Sequence, residues 1–298
     1  MEAKLYRTLY RHVYSVPHPP RRKRELFDDR WIVMVHLWSV LHDRPQCWAC
    51  DPQNWPEKLL MGRPLPSPSR LSRRRRTLGV LQLLERVTQA AADRFPVPLV
   101  KMIDSKPLYV GAYSKDRDAK RGRVAQGQFA RGYRLDAVTH TRMVAHWTLL
   151  PMNEHDSKAA PLLIPKLRGG GYLLGDNAFD SNDCHTLSAA ANHQLVAPPR
   201  EANRGVRDLK YNCPQRLRTL DLLDSPLQAC GLAGQFGRDL YNLRQRVESG
   251  FGGLAMLGLD HLPTWVRGPR RVALWCAGKI LICLCRTAEK QGLLRMTQ

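Results

Sequence analysis

The chain has 298 residues, with 47 Lys and Arg against 26 Asp and Glu, so its formal net charge is +21 and its pI is about 10.1. A charge of that size favours a polyphosphate partner such as nucleic acid. An anionic membrane surface is the competing partner, but there is no lipidation signal and no long basic amphipathic helix. The two most apolar runs, Trp31 to Leu41 and Val272 to Cys285, are too short to span a bilayer, so we expect no membrane partner. Eight cysteines without a framework spacing are typical of reduced thiols in a cytoplasm.

The first 95 residues are predicted to form a small all-α region that binds DNA. Leu5 to Tyr14, Glu25 to Leu41 and Leu78 to Ala92 carry apolar residues at helical spacing. Before the last of these runs lies the basic segment RLSRRRR, preceded by Ser67 and Pro68. Serine is a favoured N-cap and proline suits the first helical position, so a basic helix is expected to begin there.

This basic segment has two interpretations. A helix, a tight turn and a basic helix is the outline of a helix-turn-helix, which reads bases in a DNA groove. An exposed arginine-rich helix that touches phosphates without reading bases fits the residues equally well. Under either interpretation the same side chains are predicted to contact DNA: Arg70, Arg73, Arg74, Arg75 and Arg76.

Residues 96–298 are predicted to form one α/β domain. Helices are expected at Ser157 to Leu167 and Thr186 to Asn192, and residues 200–236 are expected to be irregular. The predicted elements follow the order of the RNase H-like fold, which is three strands, a helix, a strand, a helix and a strand. This fold is a mixed five-stranded sheet with flanking helices. The predicted strands are Leu99 to Ile103, Tyr133 to Thr139, Met143 to Leu150, Tyr172 to Gly175 and Gln194 to Ala197.

Two of the predicted strands end in an aspartate, Asp104 and Asp176. Side chains at the carboxyl ends of neighbouring strands converge on one crevice, and carboxylate oxygens are natural ligands of magnesium. Two such ions can activate an attacking oxygen and stabilise a leaving one during displacement at phosphorus. Glu248 is the candidate third carboxylate, on a helix predicted from about Arg238 through Glu248. Arg244 and Tyr241 share its face at helical spacing, where a guanidinium and a phenol would suit a phosphate.

Five segments, in this order, resemble those of bacterial insertion-sequence DDE transposases of the branch with a Tyr, Arg, Glu, Lys signature. IDSKPL contains Asp104, RGYRLDAVTH spans residues 131–140, and MNEHDSKAA spans residues 152–160. GDNAFDS contains Asp176, and YNLRQRVESGF contains Tyr241, Arg244 and Glu248 at the signature spacing. The resemblance covers most of the chain.

The resemblance implies a magnesium-dependent enzyme, with manganese as a substitute, that cuts the inverted-repeat ends of an insertion sequence and joins them to target DNA. Asp104, Asp176 and Glu248 would hold the metal and catalyse the reaction, while Tyr241 and Arg244 would grip the DNA backbone at the transposon end. A protein dimer would hold double-stranded DNA in the bacterial cytoplasm, at the nucleoid.

One signature position departs from the family. Its lysine would lie at position 255, where this chain has Ala255. The loss removes one phosphate contact near the scissile bond and leaves open an alternative function, a catalytically impaired relative that acts as a DNA-binding protein. An RNase H-like nuclease acting on other nucleic acids is a further alternative, which the helix-turn-helix-like N-terminal region disfavours.

Several of these residues have ordinary structural alternatives. Glu248 could simply pair with Arg244 on an exposed helix. Asp180, the nearest rival to Asp176, is more typical of a helix-side cap, and Asp136 falls in the middle of a predicted strand and is left out of the site. The pair Cys47 and Cys50, with His36 and His42 before it, is a weak zinc pattern because no second pair of cysteines follows.

Overall fold

The computed structural model describes residues 2–20, 25–60, 62–111, 113–125, 127–140, 143–199, 208–224, 233–259 and 262–293, except the side chains of residues 125, 224, 233–235 and 246–250. The chain divides into two compact units. Unit 1 comprises Met1–Pro96 and Leu254–Gln298, and unit 2 comprises Val97–Gly253. Among the described residues, no helix is both long enough and apolar enough to cross a bilayer.

Unit 1 is built from helices around α2, which is buried on nearly all sides. Asp28 accepts a hydrogen bond from the Trp31 main-chain N–H and caps α2, whose apolar side chains then contact α1, α6 and α12. Tyr6, Trp38 and Trp55 pack edge-to-face or stacked in the core, with ring centroids 4.7–5.5 Å apart. The helices of the unit are α1 (Glu2–Ser15), α2 (Asp29–Leu41), α3 (Gln46–Ala49), α4 (Glu57–Leu60), α5 (Pro68–Arg74), α6 (Leu78–Ala92) and α12 (Pro269–Lys290).

The grouping of residues 254–298 with the N-terminal helices differs from the predicted division at residue 95. The first boundary between the two units lies between Pro96 and Val97. However, α12 buries an apolar stripe against α2 and α6 of unit 1, with Trp275 and Ile280 almost inaccessible to solvent. A C-terminal helix with such a stripe joins the region that offers a matching apolar surface, and a linear reading of the chain cannot identify that region.

Unit 2 contains one mixed sheet with the strand order β2-β3-β1-β5-β6. β4 also pairs with β3, so that β2 and β4 run along different parts of the same edge of β3. β3 is antiparallel to β1, whereas β5 and β6 run parallel to β1. The strands are β1 (Val100–Tyr109), β2 (Lys120–Ala125), β3 (Gln128–His140), β4 (Met143–Pro151), β5 (Gly171–Leu174) and β6 (His193–Val196).

The sheet confirms the predicted RNase H-like α/β fold. All five predicted strands are present, but the first of them, predicted to end at Ile103, continues through Asp104 to Tyr109 because it pairs with β3. β2 is a sixth strand that the sequence did not predict. The flanking helices bury Leu163 and Phe179 against Ile103 and Leu173 of the sheet. The helices of the unit are α7 (Ala160–Leu163), α8 (Asn182–Ala190), α9 (Pro214–Asp224), α10 (Ala233–Asn242) and α11 (Val247–Ala255), the last of which ends in unit 1.

Three helical predictions in unit 2 need correction. The single helix expected from Ser157 to Leu167 is three short turns, because Pro161 and Pro165 interrupt the hydrogen-bond ladder. The region expected to be irregular contains α9 and the start of α10. The helix expected from Arg238 through Glu248 is divided by a 3₁₀ segment, Leu243–Arg246, between α10 and α11.

Gly171 shows why β5 can approach β1 so closely. Its φ is +107°, a conformation that side chains disfavour, and a Cβ built on it would lie 2.1 Å from the Leu99 carbonyl oxygen. The Tyr172 main-chain N–H donates to that same carbonyl at 2.8 Å. The glycine therefore fixes the start of the parallel pairing, and with it the point at which that pairing stops.

Candidate active site

Asp104 and Asp176 lie at the same edge of the sheet. The parallel pairing of β1 with β5 ends at Met102 and Leu174, and each aspartate follows its strand's last paired residue by two positions. Asp104 lies within β1 on the same face as Met102, and Asp176 follows β5 closely enough for its charge to act on Asp104. The structure thus brings together the two aspartates that the sequence singled out.

Each aspartate is also held by a main-chain N–H. The Ser105 N–H donates to Oδ1 of Asp104 at 2.9 Å. The Ala178 N–H donates to Oδ1 of Asp176 at 2.9 Å, because Asp176 caps the 3₁₀ turn Asn177–Phe179. These bonds orient the two carboxylates.

Electrostatics sets Asp104 apart from an ordinary surface aspartate. Burial raises the pKa of Asp104 to about 6, and the negative charges of Asp176 and Asp156 add to the rise. The positive charge of Arg244 and the hydrogen bond from the Ser105 N–H lower the pKa of Asp104, but by less than burial raises it. The carboxylates of this edge therefore repel one another, and a cation placed among them would be stabilised.

Arg244 and Tyr241 lie beside the two aspartates. Nη2 of Arg244 is 3.7 Å from Oδ1 of Asp104, a long ion pair between half-buried groups. Burial raises the pKa of Tyr241, Arg244 lowers it by its charge and a hydrogen bond, and Asp176 and Asp104 raise it. Nε of Arg244 is buried without a hydrogen-bond partner among the described residues, which leaves a donor for a ligand.

Glu248 lies in α11, but its side chain is outside the described residues. The 3₁₀ segment before it changes the angle between successive side chains, so regular α-helical spacing does not relate Glu248 to Tyr241 and Arg244. Within the described part of the chain, no group of three or more His, Cys, Asp or Glu side chains is placed to hold a metal ion. The role of Glu248, and its alternative pairing with Arg244, stay predictions.

A buried ionic cluster that the sequence did not identify lies on the neighbouring strand. Nε of Arg134 donates to Oδ1 of Asp136 at 2.9 Å, and Nη1 of Arg134 lies 3.1 Å from Asp156 and donates to the Glu154 carbonyl. Asp136 is fully buried, and its β3 neighbour Ala137 pairs directly with Asp104. Burial raises the pKa of Asp136 to about 7, with Asp156 and Asp104 contributing. The only signal in the sequence was the two-residue spacing of RLD, which places both side chains on one face of a strand.

Asp180, the rival to Asp176, has a different role from the predicted cap. Its buried carboxylate accepts from Nε and Nη2 of Arg216 at 2.8 and 2.6 Å and lies 3.3 Å from Nε2 of His185. The hydrogen bonds and charges of these two partners outweigh burial and lower the pKa of Asp180 to about 2. Ser181 caps α8 instead, through a hydrogen bond from the Cys184 N–H.

The five arginines predicted to contact DNA differ in their surroundings. Ser67 caps α5 and Pro68 occupies its first turn, as the sequence predicted. Arg70, Arg73 and Arg76 are exposed.

Arg74 and Arg75 are engaged within unit 1. Arg74 pairs with Glu25 at 3.3 Å and with Asp29 at 2.7 Å, and Arg75 is only 8% exposed. A run of identical residues gives no sign of this division, because it depends on which side of α5 faces the core.

The weak zinc pattern is dispersed. His36 lies in the core of unit 1 with Nε2 3.1 Å from the Leu274 carbonyl, and burial lowers its pKa to about 3. Cys47 is exposed, while burial raises the pKa of Cys50 to about 11 and so favours its thiol form. Cys276, Cys283 and Cys285 of α12 are buried free thiols, as predicted.

Three comparisons with known proteins accompany this geometry. A family model described as transposase DDE domain matches residues 96–285. No curated protein matches the sequence. A similar solved structure is the cryo-EM structure of the piggyBac transposase synaptic complex with hairpin DNA, at 10% identity and a TM-score of 0.49 over 97% of this chain and 73% of that chain.

Proposed function

Since the chain belongs to the transposase DDE domain family, we propose that it is a transposase that cuts the inverted-repeat ends of an insertion sequence and joins them to target DNA. One observation carries this proposal more than any other. Asp104, within β1, and Asp176, just after β5, each lie two residues beyond the point where the parallel pairing of these neighbouring strands stops, with Arg244 3.7 Å from Asp104. Two carboxylates and a guanidinium suit a metal ion beside a phosphate.

The donor set fits magnesium, with manganese as a substitute. Members of the family generally use divalent ions, and Asp104, Asp176 and Glu248 would hold them here. The supporting observation is the pKa of Asp104, which burial and neighbouring carboxylates raise to about 6 and which a cation would lower again. When bound, such ions supply Lewis acidity to phosphoryl oxygens and lower the pKa of a water molecule.

Arg244 and Tyr241 would bind the DNA backbone at the transposon end. The contact between Arg244 and Asp104 is long, and Nε of Arg244 has no partner among the described residues. A cation held by Asp104 would weaken the attraction of that carboxylate for the guanidinium. Arg244 would then be free to donate to a phosphate, with the Tyr241 hydroxyl beside it.

Unit 1 would supply binding to double-stranded DNA. Arg70, Arg73 and Arg76 are exposed and would contact phosphates, whereas Arg74 is held by Glu25 and Asp29. Neutralising the three exposed arginines should therefore lower duplex affinity and flatten its salt dependence by roughly one unit per lost phosphate contact. The matched control is Arg74→Gln, which should leave the salt slope unchanged. A dimer that holds both ends is part of the same proposal.

The test is nicking of a labelled inverted-repeat end in magnesium, with DNA binding measured beside it. Asp104→Asn, Asp176→Asn and Glu248→Gln should each abolish nicking, and manganese should partly restore single variants. Asp183→Asn replaces an exposed aspartate of α8 and serves as the control that keeps activity. Nicking by Asp104→Asn would overturn the proposal, whereas nicking by Glu248→Gln alone would remove only the third carboxylate.

One residue favours the alternative of a DNA-binding relative with impaired catalysis. Ala255 stands where the family signature has a lysine, so one phosphate contact is missing. Ala255→Lys should raise end cleavage if that contact acts in the transition state, and only affinity if it acts in docking. DNA binding without any metal-dependent nicking, in both the native chain and this variant, would establish the alternative.

A further inference from the structure

A pocket of about 230 Å³ in unit 1 is lined by basic and aromatic side chains. Its positively charged lining residues are Arg44, Arg75 and Arg271, and its aromatic lining residues are Trp265 and Trp275. None of the described residues that line it is acidic. The pocket is separate from the carboxylate edge of the sheet, because all of its lining residues belong to unit 1.

Arg75 carries a buried positive charge into this pocket. The residue is only 8% exposed, and the Gln46 carboxamide oxygen accepts from its guanidinium when the amide is oriented to satisfy both groups. A neutral oxygen does not cancel the charge. Burial and, to a smaller extent, the positive charges of Arg271 and Arg76 together lower the pKa of Arg75 to about 10, and no acidic group of the described chain offsets them.

The buried Arg75 guanidinium, next to the exposed and like-charged Arg271 in a pocket whose described lining has no carboxylate, is costly unless an anion joins the two groups. Arginine donates in a planar fork that matches the oxygens of a phosphate. Trp265 is 42% exposed, so one face remains available to a sugar or base attached to that phosphate. We propose that this pocket binds one phosphate group of DNA through Arg75 and Arg271, with Trp265 beside the attached nucleoside.

DNA is the favoured source of the phosphate because of the position of Arg75 in the chain. Arg73 and Arg76 flank it in sequence and are exposed, so a backbone bound along α5 would pass close to the pocket. Free inorganic phosphate shares the same chemistry. The phosphate site does not depend on the proposed catalytic function, and its test uses no cleavage reaction.

The first experiment compares the Tm of the full chain in inorganic phosphate and in chloride at equal ionic strength. Arg271→Gln removes a pocket cation, and Arg270→Gln removes the exposed cation next to it in α12. Phosphate at about a hundred times its Kd should raise the Tm of the native chain and of Arg270→Gln by roughly 5 °C. Arg271→Gln should need roughly ten-fold more phosphate for the same shift. Equal responses in all three proteins, or none in any, would overturn the proposal.

A second variant separates binding from folding. Arg75→Met should fold, with a Tm in chloride at or above that of the native chain, because the uncompensated charge is gone, and it should lose the response to phosphate. A lower Tm in chloride together with a retained response to phosphate would show that Arg75 is a structural cation and would overturn its assignment.

The last arm identifies the source of the phosphate. Fluorescence anisotropy with a short duplex should show that Arg271→Gln weakens DNA binding roughly ten-fold more than Arg270→Gln. Addition of inorganic phosphate should displace DNA from the native chain more than from Arg271→Gln. Equal DNA affinities of the two variants, with the phosphate response intact, would overturn DNA as the source.

Discussion

Asp104, which is half-buried, and Asp180, which is buried, are aspartates of the same unit with opposite electrostatic surroundings. The Asp180 carboxylate is bound at 2.8 and 2.6 Å by Arg216, with His185 at 3.3 Å, and its pKa is lowered to about 2. Asp104 accepts a hydrogen bond from the Ser105 N–H, and its ion pair with Arg244 is long, at 3.7 Å, so that burial raises its pKa to about 6.

The difference separates a structural carboxylate from one suited to a ligand. The chain itself neutralises Asp180, so nothing further is needed to stabilise its charge. At Asp104 burial is the main cause of the raised pKa, the charges of Asp176 and Asp156 add to it, and Arg244 offsets it only in part, so a further cation would stabilise the carboxylate. Removing each charge should therefore affect different properties of the protein.

The largest expected effect is on activity, and of the two aspartates compared it should follow only from the loss of Asp104. Asp104→Asn should lower strand cleavage on the order of 10³-fold or more, because it removes a proposed metal ligand from a set of catalytic residues that act together. Its Tm without a divalent ion should equal or exceed that of the native chain, because a repelling buried charge is gone. End nicking and thermal melting measure the two properties.

Asp180→Asn provides the opposite half of this comparison. It leaves the partly buried Arg216 without its counter-ion and should lower the free energy of unfolding by about 3 kcal/mol. The fraction that remains folded should cleave at the native rate. A variant of Asp180 that keeps its Tm but loses cleavage would show that the two carboxylates have been assigned the wrong way round.

Arg216 and Arg244, the partners of Asp180 and Asp104, should differ in the same way: one substitution lowers stability and the other lowers cleavage, the latter by less than the substitution of Asp104. Arg216→Met should lower the free energy of unfolding by about 3 kcal/mol, since it strands the buried Asp180. Arg244→Gln should change stability by less than about 1 kcal/mol, because its ion pair is long and half-exposed. It should instead lower cleavage roughly ten- to hundred-fold, the effect of a lost charged hydrogen bond to phosphate. Denaturant unfolding and single-turnover cleavage would test both, and a stability loss confined to Arg244→Gln would contradict the distinction.

Local pattern explains which parts of this comparison the sequence could predict. The residues before Asp104 and Asp176 form strands because they are short apolar runs, and α6 has the predicted bounds Leu78–Ala92 because its apolar spacing is regular. The polar continuation of β1 to Tyr109 was not predicted, because it depends on pairing with β3. β2 was missed because KRGRVA has little alternation of apolar and polar residues, and it gains its order by pairing with β3.

Contacts between distant residues could not be predicted in this way. Arg216 is 36 positions from Asp180, and the burial of Arg75 inside RRRR depends on how α5 packs. Arg134 and Asp136 were visible only as a spacing in a strand. Whether a charged side chain such as Arg216 forms an ion pair depends on residues that are distant in sequence and pack against it. The sequence around that side chain does not identify those residues.

The pH dependence of stability should reveal Asp180 as well. Its pKa in the folded chain, about 2, is below the ordinary value, so its ionised form stabilises the fold above pH ~4. That stabilisation, about 2 kcal/mol, is lost as the pH falls from about 4 to 2. Asp180→Asn should abolish this part of the acid sensitivity when unfolding is followed across that range. An equal loss in the variant would attribute the acid transition to other groups.

Asp136 has properties of both Asp104 and Asp180, so it tests whether a carboxylate can be classed as structural or catalytic from its surroundings. It is fully buried like Asp180, but its only hydrogen-bond partner among the described residues is Arg134, and its pKa is raised to about 7. Asp136→Asn keeps an acceptor for Arg134, which also pairs with Asp156. We therefore expect the smallest change, about 1 kcal/mol in the free energy of unfolding.

Cleavage by Asp136→Asn should stay within several-fold of the native rate, since Asp136 points to Arg134 as its partner and not to a metal. Ser105→Ala, at the β1 position that pairs with Asp136, is the matched control for a small change in the same place. Loss of cleavage comparable with that of Asp104→Asn, at an unchanged Tm, would make Asp136 a member of the catalytic carboxylates. Asp136 would then be a candidate, in place of Glu248, for the third catalytic carboxylate. Its assignment as a purely structural residue would be wrong.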